Sequence, residues 1–559
     1  AREMFEIDPY IEIDLFSDGL TQENMADFFD GKLDLVVDEC DDLFAKVRIR
    51  ECAKEHGIAV LMDTSDGGLL DIERFDLEPS RPIFHGVLPH LRAEDLVGLS
   101  TKDKIPFVLA ILGIEEMSGQ LAGSLIEIDK TLSTWPQLGS AVTLGGALIA
   151  HSARSVFLDS NSSSGRFRID LDKLISTGQE SPVSIPVVSK VSANALHLPK
   201  APKAPTFSKV DEQFVRYLIS FAIRAPSGGN AQPWKFVWRS PELHCSIDKT
   251  RASFLDFEGS ASKLALGAAV ENIVLAAANS GVRTIIQYPD DPSCECILRF
   301  EQHNNPSLPN QDIFRHIFSR ATNRNLGNKA TMSSHEIDIL RSAAQQAGGS
   351  VRVVTGDEDI VTIGKLLGQC DKLRFLSSRM HTELVSELRW TLEQVESTKD
   401  GIDLETLELP PADRAILKVL SRSDIPTFLN RIGGGTAIGD GSIKANAHAS
   451  SMLLVTVPKG EAQDFRGGRC MQSVWLAATS LQLAIWPQGV PFFLLRQARS
   501  EKSQLTNAES KELIALGGAL EKCMKVGSDD HVTMLFRCSH SPPPSAFALR
   551  RSIDDVYSA

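Results

Sequence analysis

The chain has 559 residues, 42% of them hydrophobic and 23% charged, with a formal net charge of −14. That length exceeds what one hydrophobic core holds and predicts two to four domains. The acidic balance excludes a general nucleic-acid binder, although not a local basic pocket.

Nine cysteines, an odd number without a CxxC pair, predict a reduced, cytoplasmic chain rather than a disulfide scaffold. Cys294 and Cys296 are the only close pair, and strand spacing puts them on one packed face; no metal site is expected. The longest apolar runs, such as FVLAILGI at 107–114, are too short to cross a bilayer, and no secretory signal is visible. The chain opens AREMFEIDPY, without an initiator methionine, so a natural start upstream is expected.

In chain order, KLDLVVDE (32–39) is a short apolar run ending in acids, as a buried parallel strand would be. LFAKVRIRECAKEHG (43–57) follows as a helix and IAVLMDT (58–64) as a second strand, which makes a βαβ unit and an α/β domain over 1–182. Ligands of such sheets sit at the carboxyl ends of the strands, where Asp38, Asp41 and Asp63 fall. TWPQLGSAVTLGGALIAHSARSVFL (134–158) predicts a glycine-containing turn into a buried helix.

DLVVDECDDLFAK (34–46) and the 134–158 helix resemble the ThiF/MoeB-like (E1-like) adenylyltransferase family, a Rossmann-type fold. The resemblance implies Asp41 beside ATP and its magnesium. Asp42 stands where the family has Asn, however, and Lys46 where it has Arg. The GxGxxG loop and the zinc-binding CxxC pairs are absent, so the resemblance covers a partial domain. A partial domain of this kind is expected to dock a protein or peptide partner rather than adenylylate one.

Residues 183–209, which include the alternating LPKAPKAP, predict a proline-rich linker. Beyond it the chain repeats itself. GAAVENIVLAAANSGV (267–282) and GRCMQSVWLAATSLQL (468–483) match in pattern 201 residues apart. LISFAIRAPSGGNAQPWKFVW (218–238) parallels ILRSAAQQAGGSVRVV (339–354) as helix, loop and strand. Two matches in one order predict a duplicated α+β unit, with halves at 210–310 and 311–559.

The copies differ where chemistry is expected. Pro226, Ser227, Gly228, Gly229 and Asn230 form a polar glycine turn in the first half only. Arg320, Thr322 and Arg324 alternate in the second, so an extended segment points all three one way, as a phosphate requires. RIGGGTAIGDGS (431–442) does not follow an apolar strand and lacks a Gly-Lys-Ser/Thr ending, which excludes a P-loop and predicts a mobile loop or lid within 400–445.

APSGGNAQPWKF (225–236) resembles the nitroreductase-family turn that lines the isoalloxazine of FMN. RATNR (320–324) resembles that family's phosphate-gripping element, and ALRR (548–551) its basic closing segment, with Arg550 and Arg551 as phosphate ligands. The set is most similar to the duplicated, single-chain nitroreductase-like proteins related to mycobacterial Acg, over roughly 208–556.

The resemblance implies an internal pseudo-dimer with one FMN per chain, and NADH or NADPH as electron donor to an electron-poor small-molecule acceptor. The flavin rather than a protein acid or base would carry the chemistry. Gln232 is expected to tie the turn and Trp234 to anchor the core. Two other outcomes share these residues: FMN storage without turnover, and an azoline-type peptide dehydrogenase. The latter family's Lys-Tyr pair is missing here, since none of Tyr10, Tyr217, Tyr288 and Tyr557 directly follows a lysine.

Overall fold

The computed structural model describes residues 2–30, 32–128, 130–132, 136–158, 162–171, 174–175, 199–203, 210–291, 293–302 and 311–559. Most of the expected linker therefore lies outside the described residues. The chain is a mixed α/β structure of several sheets in two compact units, Ala1–Val191 with Pro410–Phe428, and Ser192–Leu409 with Leu429–Ala559.

The first unit contains the βαβ element. Strand β1 (Leu35–Val37) leads through helix α1 (Leu43–His56) to β2 (Ala59–Thr64), and the two strands pair in parallel. The Asp42 side chain caps α1 by accepting from Ala45 N at 2.8 Å, and Gly57 ends it at φ 67°, a left-handed conformation that suits glycine. Strands β3 (Leu69–Glu73) and β4 (Gly165–Arg168) extend the sheet antiparallel, in the order β1-β2-β3-β4.

The helix expected to be buried is α2 (Gly139–Phe157), and it is not. Only Gly145 and Ser152 are buried, while Val142 and Phe157 are exposed. Its small and apolar residues run right round the helix, so composition does not reveal which stripe packs. Contact is made through Gly145, where a Cβ would lie 1.8 Å from Asp63 Oδ2.

Under the sheet, Arg50 is fully buried and bridges Asp38 at 2.5 Å and Glu73 at 2.6 Å. Asp71 pairs with His85 at 2.9 Å and Arg166 at 3.1 Å. Asp71, Glu73 and His85 are close enough to share a metal ion, but the guanidiniums of Arg50 and Arg166 already neutralise the two carboxylates.

In the second unit, α3 (Glu212–Ala222) is capped by Asp211, which accepts from Phe214 N at 3.0 Å. It buries Phe214, Leu218 and Phe221 at helical spacing. There follow β5 (Trp234–Arg239), β6 (Glu242–Ile247), α4 (Ser260–Asn279), β7 (Val282–Gln287) and β8 (Cys296–Gln302). The series then recurs as α5 (Ser334–Gln346), β9 (Ser350–Val354), β10 (Ser451–Pro458), α9 (Gln463–Ser480), β11 (Ala484–Pro487) and β12 (Asp530–Ser539). Between β9 and β10 the chain adds α6 (Asp357–Leu376), α7 (Ser378–Glu387) and α8 (Thr436–Ala447).

The two sheets have one topology. The first runs β5-β6-β8-β7 and the second β9-β10-β12-β11, all antiparallel. A final strand, β13 (Tyr557–Ser558), returns from the chain end to pair in parallel with β5.

The repeat helices α4 and α9 pack on each other in the main core. Gly267 and Gly468, equivalent positions 201 apart, allow it reciprocally. A Cβ on Gly267 would lie 2.0 Å from Phe465 O, and one on Gly468 1.9 Å from Leu264 O. Polar contacts cross beside them, with Gln472 Nε2 donating to Asn272 Oδ1 at 2.8 Å and Arg469 Nε to Glu271 at 2.8 Å. Residues 257–279 are long and apolar enough, by length and composition, to span a membrane, but 78% of that window is buried in the core.

Residues 431–442 are not the loop expected there. They close a helix at Ile432 and open α8, whose Gly439 packs against Gly368 of α6. Gly439 serves close helix contact, since a Cβ there would lie 2.5 Å from Gly368 O, while Gly433 and Gly435 turn the short connection at φ 68° and 86°. The rest of the expected lid divides too, since Pro410–Phe428 falls in the first unit.

Candidate active site

A cavity of about 390 Å³ opens in the second unit, a usual size for a small-molecule site. One wall is the turn after α3. Gly229, Asn230 and Gln232 all have φ near +55°, a conformation costly for the last two and one that collects at ligand sites. The fold pays for it locally. Ser227 Oγ accepts from Gln232 N at 2.9 Å, and the buried Gln232 side chain donates to Lys399 O at 2.8 Å and accepts from Arg551 N at 2.9 Å. Gln232 thus ties the turn, and Trp234 is fully buried beside it.

Pro226, Ser227, Gly228, Gly229 and Asn230 all line the cavity, as do Arg320, Thr322, Arg324 and Arg550. Ala321 lines it too, so the 320–324 segment does not strictly alternate. Asn323, between the lining residues, turns away and donates to Pro542 O at 2.7 Å. Arg551 does not line the cavity. Its guanidinium donates to Asp555 O at 2.9 Å, and only its backbone serves the site. In an extended tail, neighbouring side chains point opposite ways, so one arginine of the doublet faces in and the other out.

Arg320 and Arg550 have no carboxylate partner among the described residues. Arg550 donates to Asn230 Oδ1 at 2.9 Å, and Arg320 donates to Arg224 O at 2.9 Å while stacking 4.5 Å from the Trp475 ring centroid. Both keep a buried Nε with no partner. Arg224, which sequence reasoning passed over, completes the group although it immediately precedes the turn. Its guanidinium lies over the Phe318 ring at 5.7 Å and faces no carboxylate among the described residues.

Burial lowers the Arg224 guanidinium to about 10. Burial, then the charge of Arg224, lowers Arg320 to about 9, and burial followed by both neighbours pushes Arg550 well down. Three uncompensated cations in one buried corner are a site for an anion. Arg324 stands apart from them, donating to Thr406 O at 2.7 Å beside the Trp486 ring.

Trp475 and Trp486 supply apolar wall, and Gln488 brings a buried amide nitrogen without a partner. The added helices contribute Asp371, Arg374, Glu387 and Ser442. None of these carries a sequence signal, because each is a lone residue in an ordinary helix.

The chain is 35% identical over 556 residues to the "Uncharacterized protein MT1398" of Mycobacterium tuberculosis, a match covering 99% of this chain and 76% of that protein. The chain belongs to the family of that protein. It is also 24% identical over 340 residues to the "Putative NAD(P)H nitroreductase Rv3131" of the same species. That match covers 59% of this chain and 89% of the relative, and its counterpart MT3217 in a second strain matches equally. The similarity makes this a nitroreductase-like chain. No protein-family model matches it.

Proposed function

We propose that the cavity binds FMN and that the chain is an NAD(P)H-dependent oxidoreductase of nitroreductase type. The observation that carries this reading is the corner of Arg224, Arg320 and Arg550. Its two orphaned Nε donors, with no carboxylate partner among the described residues, suit a phosphate monoester dianion.

The remaining residues fit the rest of the cofactor. Trp475 and Trp486 offer apolar surface, the Gly228–Gly229 turn lets a flat ring approach backbone, and Thr322 adds a hydroxyl. When bound, FMN supplies hydride exchange between NADH or NADPH and an electron-poor small-molecule acceptor. The protein's share is to hold the ring with the turn, hold the phosphate with the arginines, and keep bulk water from the cavity.

We infer further that 210–559 is a duplicated unit folded as an internal pseudo-dimer. The like sheet orders, the reciprocal glycines and the crossing of β13 support this. The turn would come from the first copy and the basic residues 320 and 550 from the second, which leaves one FMN per chain. For the first unit, the parallel βαβ element supports a partial E1-like domain that docks a protein or peptide partner. Nine unpaired cysteines fit a reducing cytoplasm.

A second reading, FMN storage, draws on the added helices. Leu367, Asp371, Arg374 and Glu387 wall the cavity and would restrict nicotinamide entry. Anaerobic NADPH or NADH added to the FMN-loaded chain separates the two. Bleaching of the flavin absorbance is expected of the oxidoreductase, and a spectrum that stays oxidised would replace it with storage.

A further inference from the structure

The cavity wall from the added helices carries two carboxyls, Asp371 and Glu387, and they are not equivalent. Asp371 is hydrogen-bonded to Ser442 Oγ. The Glu387 carboxyl accepts no hydrogen bond among the described residues, and its nearest cation, Arg374, is 3.8 Å away. It lies directly on the turn: a Cβ on Gly229 would be 2.8 Å from Glu387 Cδ and Oε1. A carboxyl that accepts no hydrogen bond among the described residues and has only a long ion pair to Arg374, in the cavity and against the turn assigned to the flavin, is placed to exchange a proton with whatever enters.

We propose that Glu387 is the proton donor to the acceptor, a catalytic residue in an active site otherwise run by its cofactor. This rests on the FMN reading above. For an acceptor such as a quinone or nitroaromatic, the carboxyl O–H bond breaks and its proton passes to an acceptor oxygen. The resulting carboxylate faces Arg374 until water reprotonates it. The electron pair and the second hydrogen originate as hydride from NAD(P)H. The sum is therefore NAD(P)H, a proton and the acceptor giving NAD(P)⁺ and the reduced acceptor.

The surroundings favour the acid form more than those of an exposed glutamate do. Burial raises the Glu387 carboxyl; Glu383, one turn back on α7, adds to this, while Arg374 from α6 and Arg389 oppose it, and the net shift is upward. A general acid works best when its pKa lies near the working pH.

The test uses the full chain loaded with FMN, reduced with stoichiometric dithionite, and mixed with either 1,4-benzoquinone or ferricyanide, which takes electrons without a proton. Glu387→Gln should slow the quinone reaction about 100-fold or more and leave the ferricyanide reaction unchanged. The wild-type quinone rate should fall as pH rises through the Glu387 pKa. The Gln variant should be flat, and Glu387→Asp should restore the pH dependence. In the cofactor-free chain, the infrared difference between wild type and Glu387→Gln should contain the carbonyl band of a protonated carboxyl at pH values where an exposed glutamate is already ionised.

An unchanged quinone rate, equal slowing of both acceptors, or no carboxyl band would overturn the proposal. A chain that takes up no FMN overturns it together with the reading beneath it, and the missing flavin absorbance identifies that case.

Discussion

Arginines that look alike in the sequence play different parts in the fold. Arg320→Met and Arg550→Met each remove a buried charged donor from the proposed phosphate corner. Each should weaken FMN binding by about 1.5–3 kcal/mol, roughly 10- to 150-fold in Kd. Arg551→Met, which removes an outward guanidinium, should bind FMN like the wild type in the same fluorescence titration.

The turn was legible because glycine and proline constrain backbone directly; period-two spacing also singled out Arg320, Thr322 and Arg324, but it did not foresee that Ala321 lines the cavity with them. Arg224 was not, since one basic residue at a helix end is usual and only the fold brings it beside residues a hundred and three hundred positions away.

Arg50 gives a second residue-scale prediction. Removing it by Arg50→Met leaves Glu73 buried without its ion-pair partner and Asp38 with Lys46 alone, a loss of about 3–5 kcal/mol at neutral pH. In the wild type, burial raises the Asp38 carboxyl, but Arg50 and Lys46 more than offset this and hold it below its usual range. Its contribution is therefore present above the ordinary carboxylate pKa of about 4 and is lost as pH falls through the depressed value. In Arg50→Met the sign reverses, and stability should increase as pH is lowered from 7 to 5. Denaturant unfolding at the two pH values reads both effects.

At the scale of elements, the decisive contact is between α4 and α9. Gly267→Ala or Gly468→Ala drives a methyl into a backbone carbonyl of the facing helix, which cannot yield as a side-chain tip could. Each should cost about 1–3 kcal/mol or more in thermal or chemical unfolding. The double variant should cost less than the sum, because one widening of the helix pair relieves both clashes.

The sequence showed this pair as a repeat but not as a contact, since like patterns do not say which faces meet. Gly439 misled for a related reason. Glycine marks a loop when it supplies φ and a helix contact when it supplies clearance, and Gly439 does the second. Helix α2 misled through its composition, being apolar on every side, so nothing in its pattern distinguished the Gly145–Ser152 stripe that packs.

For the molecule as a whole, three clustered guanidiniums with no carboxylate partner among the described residues are a stored electrostatic cost, which an anion relieves. FMN should therefore stabilise the second unit by about 2.7 kcal/mol at one hundred times its Kd. The effect should appear as a rise in melting temperature that Arg320→Met diminishes.

The central claim, that one cavity built from both halves of the second unit holds one FMN, is met most directly by titrating the full chain with FMN and reading the bound stoichiometry from flavin fluorescence. The account predicts saturation at one FMN per chain, with affinity lost in Arg320→Met and kept in Arg551→Met. Two equivalents bound, no saturable binding, or an affinity indifferent to Arg320 would contradict it.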